Sequence, residues 1–172
     1  MANDWTENDL TRQLNHANAN GWIPFFEAAA EANGFDTEFV LAIASRETNM
    51  LNIRGDFHDG AYHGFGIMQV DVGTDPDFCA SWTADQVEGS IQRGTQLLAG
   101  KRDQLAHHDV TDPKAIAAAY NTGASNVLHS IQNNADPDRT TTGHDYGADV
   151  MARRAVFQQL RSTASSATSS GG

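Results

Sequence analysis

Cysteine is almost absent. Cys79 is the only one in 172 residues. No intrachain disulfide can form, so stability has to come from a packed core. With Ala80, Ser81 and Trp82 following it, Cys79 reads as a small core filler. Seven histidines leave a catalytic thiol as the alternative. Long hydrophobic runs are also missing, and no stretch is apolar enough to cross a bilayer as a helix. The opening "MANDWTENDL" has no basic region followed by an apolar stretch, so no Sec-type leader is expected there. Positive charge is scarce: 11 Lys and Arg stand against 22 Asp and Glu, a net charge of -11. That argues against nucleic acid or an anionic membrane as a partner held by charge, since both need basic patches.

What is present suits an ordinary soluble globular domain. Hydrophobic residues make up 40% and charged residues 19%, enough for one domain with a sizeable core. No internal repeat and no long linker interrupts residues 1–161. The tail "STASSATSSGG" from Ser162 is small, polar and apolar-poor, and predicts disorder over 162–172.

Local signals predict mostly helices. One runs from about Glu7 to Asn18. "PFFEAAAEANG" reads as a second, with Pro24 where a helix can begin and Gly34 where one can stop. Asp36 or Thr37 caps a third, with Phe39, Val40 and Ile43 on its core face and its end near Thr48 or Asn49. Residues 52–71, "NIRGDFHDGAYHGFGIMQVD", lack a 3.6-residue stripe and read as loop plus a small hairpin, with "GIMQV" as the strand. Thr83 to Gln86 has capping-box form and is expected to open a long helix through Val87, Ile91, Leu98 and Leu105. Asp112-Pro113 starts another, closed by Gly123. "SNVLHSIQ" gives a short one. The last begins near His144 or Asp145 and carries Val150, Met151, Phe157 and Leu160. The predicted fold class is mainly α, with one small β-hairpin.

Chemistry concentrates around one glutamate. Phe39, Ile43 and Glu47 recur at i, i+4 and share a helix face. An apolar stripe that ends on a carboxyl raises its pKa and keeps a proton available near neutrality, as a general acid requires. The bland alternative is a helix-terminal glutamate paired with Arg46 or Arg54. Asp56, Asp59 and Asp71 follow. Two carboxyls across a groove are the minimum kit for breaking a glycosidic bond: one protonates the leaving oxygen, the other activates water. The plain alternatives are turn residues at Asp56 and Asp59, and a cap of the next turn at Asp71. Gly64 and Gly66 bracket Phe65, and either allow close backbone approach by a ligand or make a tight turn. Met68 is expected to pack and Gln69 to point at the cleft. Tyr120 and Asn121 end a helix before Gly123, where a phenol and an amide can meet a sugar; the alternative for Tyr120 is a core aromatic. His58 and His63 share the loop with Asp56 and Asp59, but their spacing matches no zinc pattern. No metal and no cofactor is expected.

Taken in order, "ASRETN", "GFGIMQVD", "AAYNTGASNV" and "HDYGADVMARRAVF" resemble the goose-type lysozymes and the related lytic transglycosylases. The resemblance spans about residues 37–157. It implies a lysozyme-like α+β catalytic domain over 1–161 that acts on the peptidoglycan glycan strand, as a monomer. Carried over residue by residue, Glu47 matches the catalytic acid and Asp71 one of two aspartates that position water. Gly64, Phe65, Gly66, Met68 and Gln69 match the strand walling the cleft. Tyr120 and Asn121 match a sugar-binding pair, and His144, Asp145 and Tyr146 the C-terminal segment of the site. The second aspartate is Asp56 by its Gly-Asp context, or Asp59 by its distance from Glu47. With an aspartate pair the resemblance implies inverting hydrolysis; without one, attack by the sugar's own C6 hydroxyl and a 1,6-anhydro product.

Overall fold

The computed structural model describes residues 5–169. Eight α-helices and one three-stranded antiparallel sheet make up the described part. The fold is the expected mainly α, lysozyme-like one.

Caps set the first three helices. Thr6 and Asp9 bond reciprocally at the start of α1 (Glu7–Ala19), satisfying two orphan N–H groups. Pro24 lies in the first turn of α2 (Ile23–Asn33), and Gly34 ends it in the left-handed region. The Asp36 carboxylate accepts from Phe39 N at the start of α3 (Thr37–Thr48), and Asn49, with φ of 52°, stops it. The short α4 (Pro76–Ser81) is capped by Asp75. α5 (Val87–Ala106), α6 (Pro113–Thr122) and α7 (Ala124–Gln132) follow. Two 3-10 turns, Pro137–Thr140 and Thr142–His144, lead into α8 (Tyr146–Ser169).

Two helices form the centre. In α3 every residue from Phe39 to Ser45 is buried, and in α6 every residue from Ala115 to Ala119. A helix hydrophobic all round must be enclosed by others. α3 lies against α2 and α8, and α6 against α5, α7 and α8. The run of alanines lets these neighbours approach α6 closely. Leu10, Phe26, Ile91, Leu98 and Phe157 fill the space between.

Two local expectations need correcting. "GIMQV" is not a strand. The strands are β1 (Arg54–His58), β2 (Ala61–Phe65) and β3 (Val70–Asp71), and residues 66–69 form the turn between β2 and β3. Gly66 and Gln69 hold φ of 82° and 50°, outside extended geometry. The consecutive side chains of Ile67 and Met68 are both fully buried, unlike those of a strand with one solvated face. The second correction is at Thr83–Gln86. Only half of the capping box forms, from Thr83 N to the Gln86 side chain. That segment makes a separate turn, and α5 begins after it at Val87. α8 runs through Ser169. Extending a helix already anchored by packing needs no new nucleus, and the Ser162 and Thr163 hydroxyls bond back to Gln159 O. Residues 170–172 lie outside the described part.

Candidate active site

The buried helices α3 and α6 both run to one cleft. Glu47 sits in the last turn of α3, and Tyr120 and Asn121 in the last turn of α6. The sheet closes the opposite side. Gly64 of β2 pairs with Asp71 of β3, and Gly55 of β1 with Gly64. Glu47, Asp56, Gly64, Gln69, Asp71, Tyr120, Asn121 and Thr142 line a cavity of about 400 Å³. A recess of about 320 Å³ adjoins it, sharing Gln69, Asp71, Tyr120 and Asn121 and adding Thr74, Leu97 and Lys101. The two share a wall and together make one groove.

Glu47 has no arginine partner. The residue is half-buried at the cavity wall, and the Tyr146 hydroxyl donates to Oε1. Burial pushes its pKa up to about 7; the Tyr146 hydrogen bond and the nearby Arg46 charge pull the other way and fall short. Arg46 is engaged elsewhere, 3.2 Å from Asp149 and 3.3 Å from Asp145. Arg54 lies over the Trp82 ring. Both cations of the bland reading are therefore diverted. The phenols of Tyr120 and Tyr146 are held well above their ordinary pKa by burial and by the Glu47 charge, so each remains a donor.

The turn 66–69 is fastened to both helices. The Tyr120 hydroxyl donates to Met68 O at 2.7 Å. The Thr48 hydroxyl donates to Ile67 O at 2.9 Å, and Ile67 N donates to the Asn52 side chain. Gln69 folds back, its amide nitrogen donating to Ile53 O at 3.0 Å and Gly66 O at 2.8 Å. That placement explains two glycines. A Cβ on Gly55 or Gly64 would stand 2.1 or 2.4 Å from the Gln69 side-chain oxygen. A Cβ on Gly66 would meet Ser90 at 2.6 Å. Gly55 and Gly64 make room for the Gln69 side chain within the strands, and Gly66 makes room for Ser90 in the turn.

The remaining predicted residues divide. Asp71 both lines the groove and caps a turn, accepting from Gly73 N at 2.8 Å. Asn121 accepts from Thr142 N at 3.0 Å and joins the groove wall to the segment before α8. Asp56 reaches the cavity; Asp59 stands at the hairpin tip with its side chain 93% exposed. Phe65 packs edge-on to Trp82, and Met68 is wholly buried against Gly94 and Thr95. Tyr146 meets Glu47 from beneath the cavity. His144 is exposed and bonds Arg139 O, away from it. Cys79 packs under β3 with its thiol on Val70 O, and burial pushes its pKa up to about 11; it is a filler. His58 stands between Asp56 and Asp59, stacked on His63. Among the described residues no group of three His, Cys, Asp or Glu could hold a metal ion.

Sequence reasoning missed the support beneath the acid. Asp149, 3% exposed, receives Arg46, Arg153 at 2.8 Å and the Trp5 indole. Arg153 also donates to the Ser45 hydroxyl at 2.8 Å, fixing the last turn of α3. The Asp149–Arg153 spacing of i, i+4 was the available signal. Asp138, buried, accepts from Gly147 N and Ala148 N and caps α8, which sets Tyr146. A Cβ on Gly147 would strike Lys114 O at 2.5 Å.

Comparison with known proteins agrees with this geometry. A family model described as "Lysozyme g" matches residues 7–160. The chain is 34% identical over 131 residues to a "Lysozyme g" of Epinephelus coioides, covering 70% of this chain and 66% of that one. It is 30% identical over 157 residues to a "Lysozyme g" of Cyprinus carpio, covering 88% and 77%. It is also 34% identical over 127 residues to a "Glycine, glutamate and proline-rich protein" of Lottia gigantea, covering 66% of this chain and 28% of that one.

Proposed function

The chain belongs to the lysozyme g family of glycoside hydrolases, and on that premise we propose that it is an inverting muramidase. Its substrate is the peptidoglycan glycan strand, cut at the β-1,4 bond between N-acetylmuramic acid and N-acetylglucosamine. The observation that carries this reading is Glu47: a half-buried carboxyl in the wall of a groove, with a pKa raised to about 7 and no cation paired to it among the described residues.

At neutral pH a large fraction of Glu47 holds its proton. It gives that proton to the glycosidic oxygen as the bond to C1 breaks. Charge builds on the sugar ring as an oxocarbenium-like species. Asp56 and Asp71, across the groove, orient a water toward C1 and take its proton as the new bond forms. The product is a free reducing end of inverted configuration. The Tyr146 hydroxyl fixes the direction of the Glu47 carboxyl and stabilises the carboxylate left after proton transfer. Tyr120, Asn121 and Gln69 shape the sugar-binding wall; Tyr120 does so partly by holding the turn that carries Gln69.

Digestion of purified peptidoglycan, followed by mass spectrometry, tests the reaction type. Reducing muramic acid ends are expected. Anhydro ends would show attack by the C6 hydroxyl and overturn hydrolysis. Glu47→Gln is expected to abolish wall lysis, and full activity in that variant would remove Glu47 from its role.

A further inference from the structure

The exposed large hydrophobic side chains among the described residues fall between Leu51 and Tyr62, and the most exposed is Phe57 at 63%. Its ring lies against Tyr62, 44% exposed, with centroids 4.9 Å apart in an edge-on contact. Phe57 and Tyr62 pair directly across β1 and β2. Tyr62 and Gly64 are two residues apart on one strand and share a face. Gly64 pairs directly with Asp71, and the space where its Cβ would stand is taken by Gln69. The aromatic pair is therefore on the sheet face that walls the groove, one ladder step, about 7 Å, farther toward the hairpin tip.

We infer that Phe57 and Tyr62 form an outer glycan subsite, on which the substrate strand rests after leaving the cleft. This rests on the muramidase reading above. Three observations point to a sugar as the occupant. The surface continues the face that carries Gln69, Gly64 and Asp71, so a strand lying in the groove passes over it. An aromatic face offers a flat apolar surface to the C–H face of a pyranose, and the Tyr62 hydroxyl offers a polar edge. The chain carries a net charge of -11, which opposes capture of a polyanionic wall by charge and leaves uncharged contacts such as these to supply affinity. A cross-strand aromatic pair also steadies a hairpin, and the test has to separate the two roles.

The experiment uses peptide-free muramyl glycan strands of defined length, a tetrasaccharide and strands of ten sugars or more, with reducing ends as the readout. The variants are Phe57→Ala with Tyr62→Ala, and Phe57→Leu with Tyr62→Leu, which keeps an apolar pair and removes the rings. On long strands both are expected to raise KM about five- to tenfold, the effect of losing one sugar-sized apolar contact, with kcat unchanged. On the tetrasaccharide KM is expected to stay at the wild-type value. An unchanged KM on long strands, or an equal rise on both lengths, overturns the subsite and leaves the pair a hairpin clasp. Absence of cleavage by the wild-type chain on every strand would instead overturn the muramidase reading, and this inference with it.

Discussion

Glu47→Gln should make the protein more stable while destroying its activity, and the gain should appear only as the pH rises. Burial raises the Glu47 pKa from 4.5 to about 7. In the unfolded chain the group titrates near 4.5. Below that pH both states hold the proton, and the carboxyl adds no penalty. Between 4.5 and 7 the unfolded state releases its proton while the folded state keeps it, so stability falls as pH rises. Above 7 both states are ionised, and the folded state carries the full cost of a half-buried carboxylate. At 1.36 kcal/mol for each tenfold change in the protonation equilibrium, the rise from 4.5 to about 7 corresponds to about 3 kcal/mol. Glutamine fills the same volume, still accepts from the Tyr146 hydroxyl, and never ionises. Urea unfolding of both proteins from pH 4 to pH 8.5 checks this. The curves are expected to differ by a fixed amount near pH 4 and to diverge by about 3 kcal/mol by pH 8. Parallel curves would refute the claim that burial of Glu47 sets its pKa, and with it the argument that this residue is poised as an acid.

Tyr146→Phe removes the hydrogen bond that favours the Glu47 carboxylate, so the falling limb of the pH–kcat profile should move to higher pH; a limb that stays in place separates Tyr146 from the acid. Asp56→Asn and Asp71→Asn should each lower kcat on glycan strands about 10²- to 10⁴-fold if they handle the water, while Asp59→Asn, altering an exposed tip outside the groove, should stay within about twofold; the reverse ranking in steady-state kinetics would reassign the second carboxyl. Gly64→Ala places a methyl 2.4 Å from the Gln69 side-chain oxygen and should cost about 1–3 kcal/mol in thermal or urea unfolding, with a fall in kcat/KM as Gln69 is displaced.

Helix boundaries were legible where their cause is local. Asp36, Asp112, Gly34 and Gly123 act within a turn of their own helices, and the structure uses them where the sequence places them. The turn at 66–69 was not legible. "GIMQV" has strand composition, and its path is imposed by Thr48, Asn52 and Tyr120, which bond it from other elements. The Thr83–Gln86 motif was readable as a capping box, but α5 starts after it at Val87, where the Trp82 indole bonds the Ser90 hydroxyl of its first turn.

The site follows the same division. Sequence by itself determined that an apolar stripe ends on Glu47, that Asp56, Asp59 and Asp71 follow it, and that Tyr120 and Asn121 close a helix. Spacing along a helix or strand decides which side chains share a face, and that information is short-ranged. It could not say whether Arg46 or Arg54 would neutralise the acid. Tertiary structure decided that, by drawing Arg46 to Asp145 and Asp149, about a hundred residues away in the chain, and by setting Tyr146 on the carboxyl instead. It also put Asp56 on the cavity wall, with Asp59 exposed at the hairpin tip. A pKa depends on what surrounds a group in space, and only the packed chain brings those surroundings together.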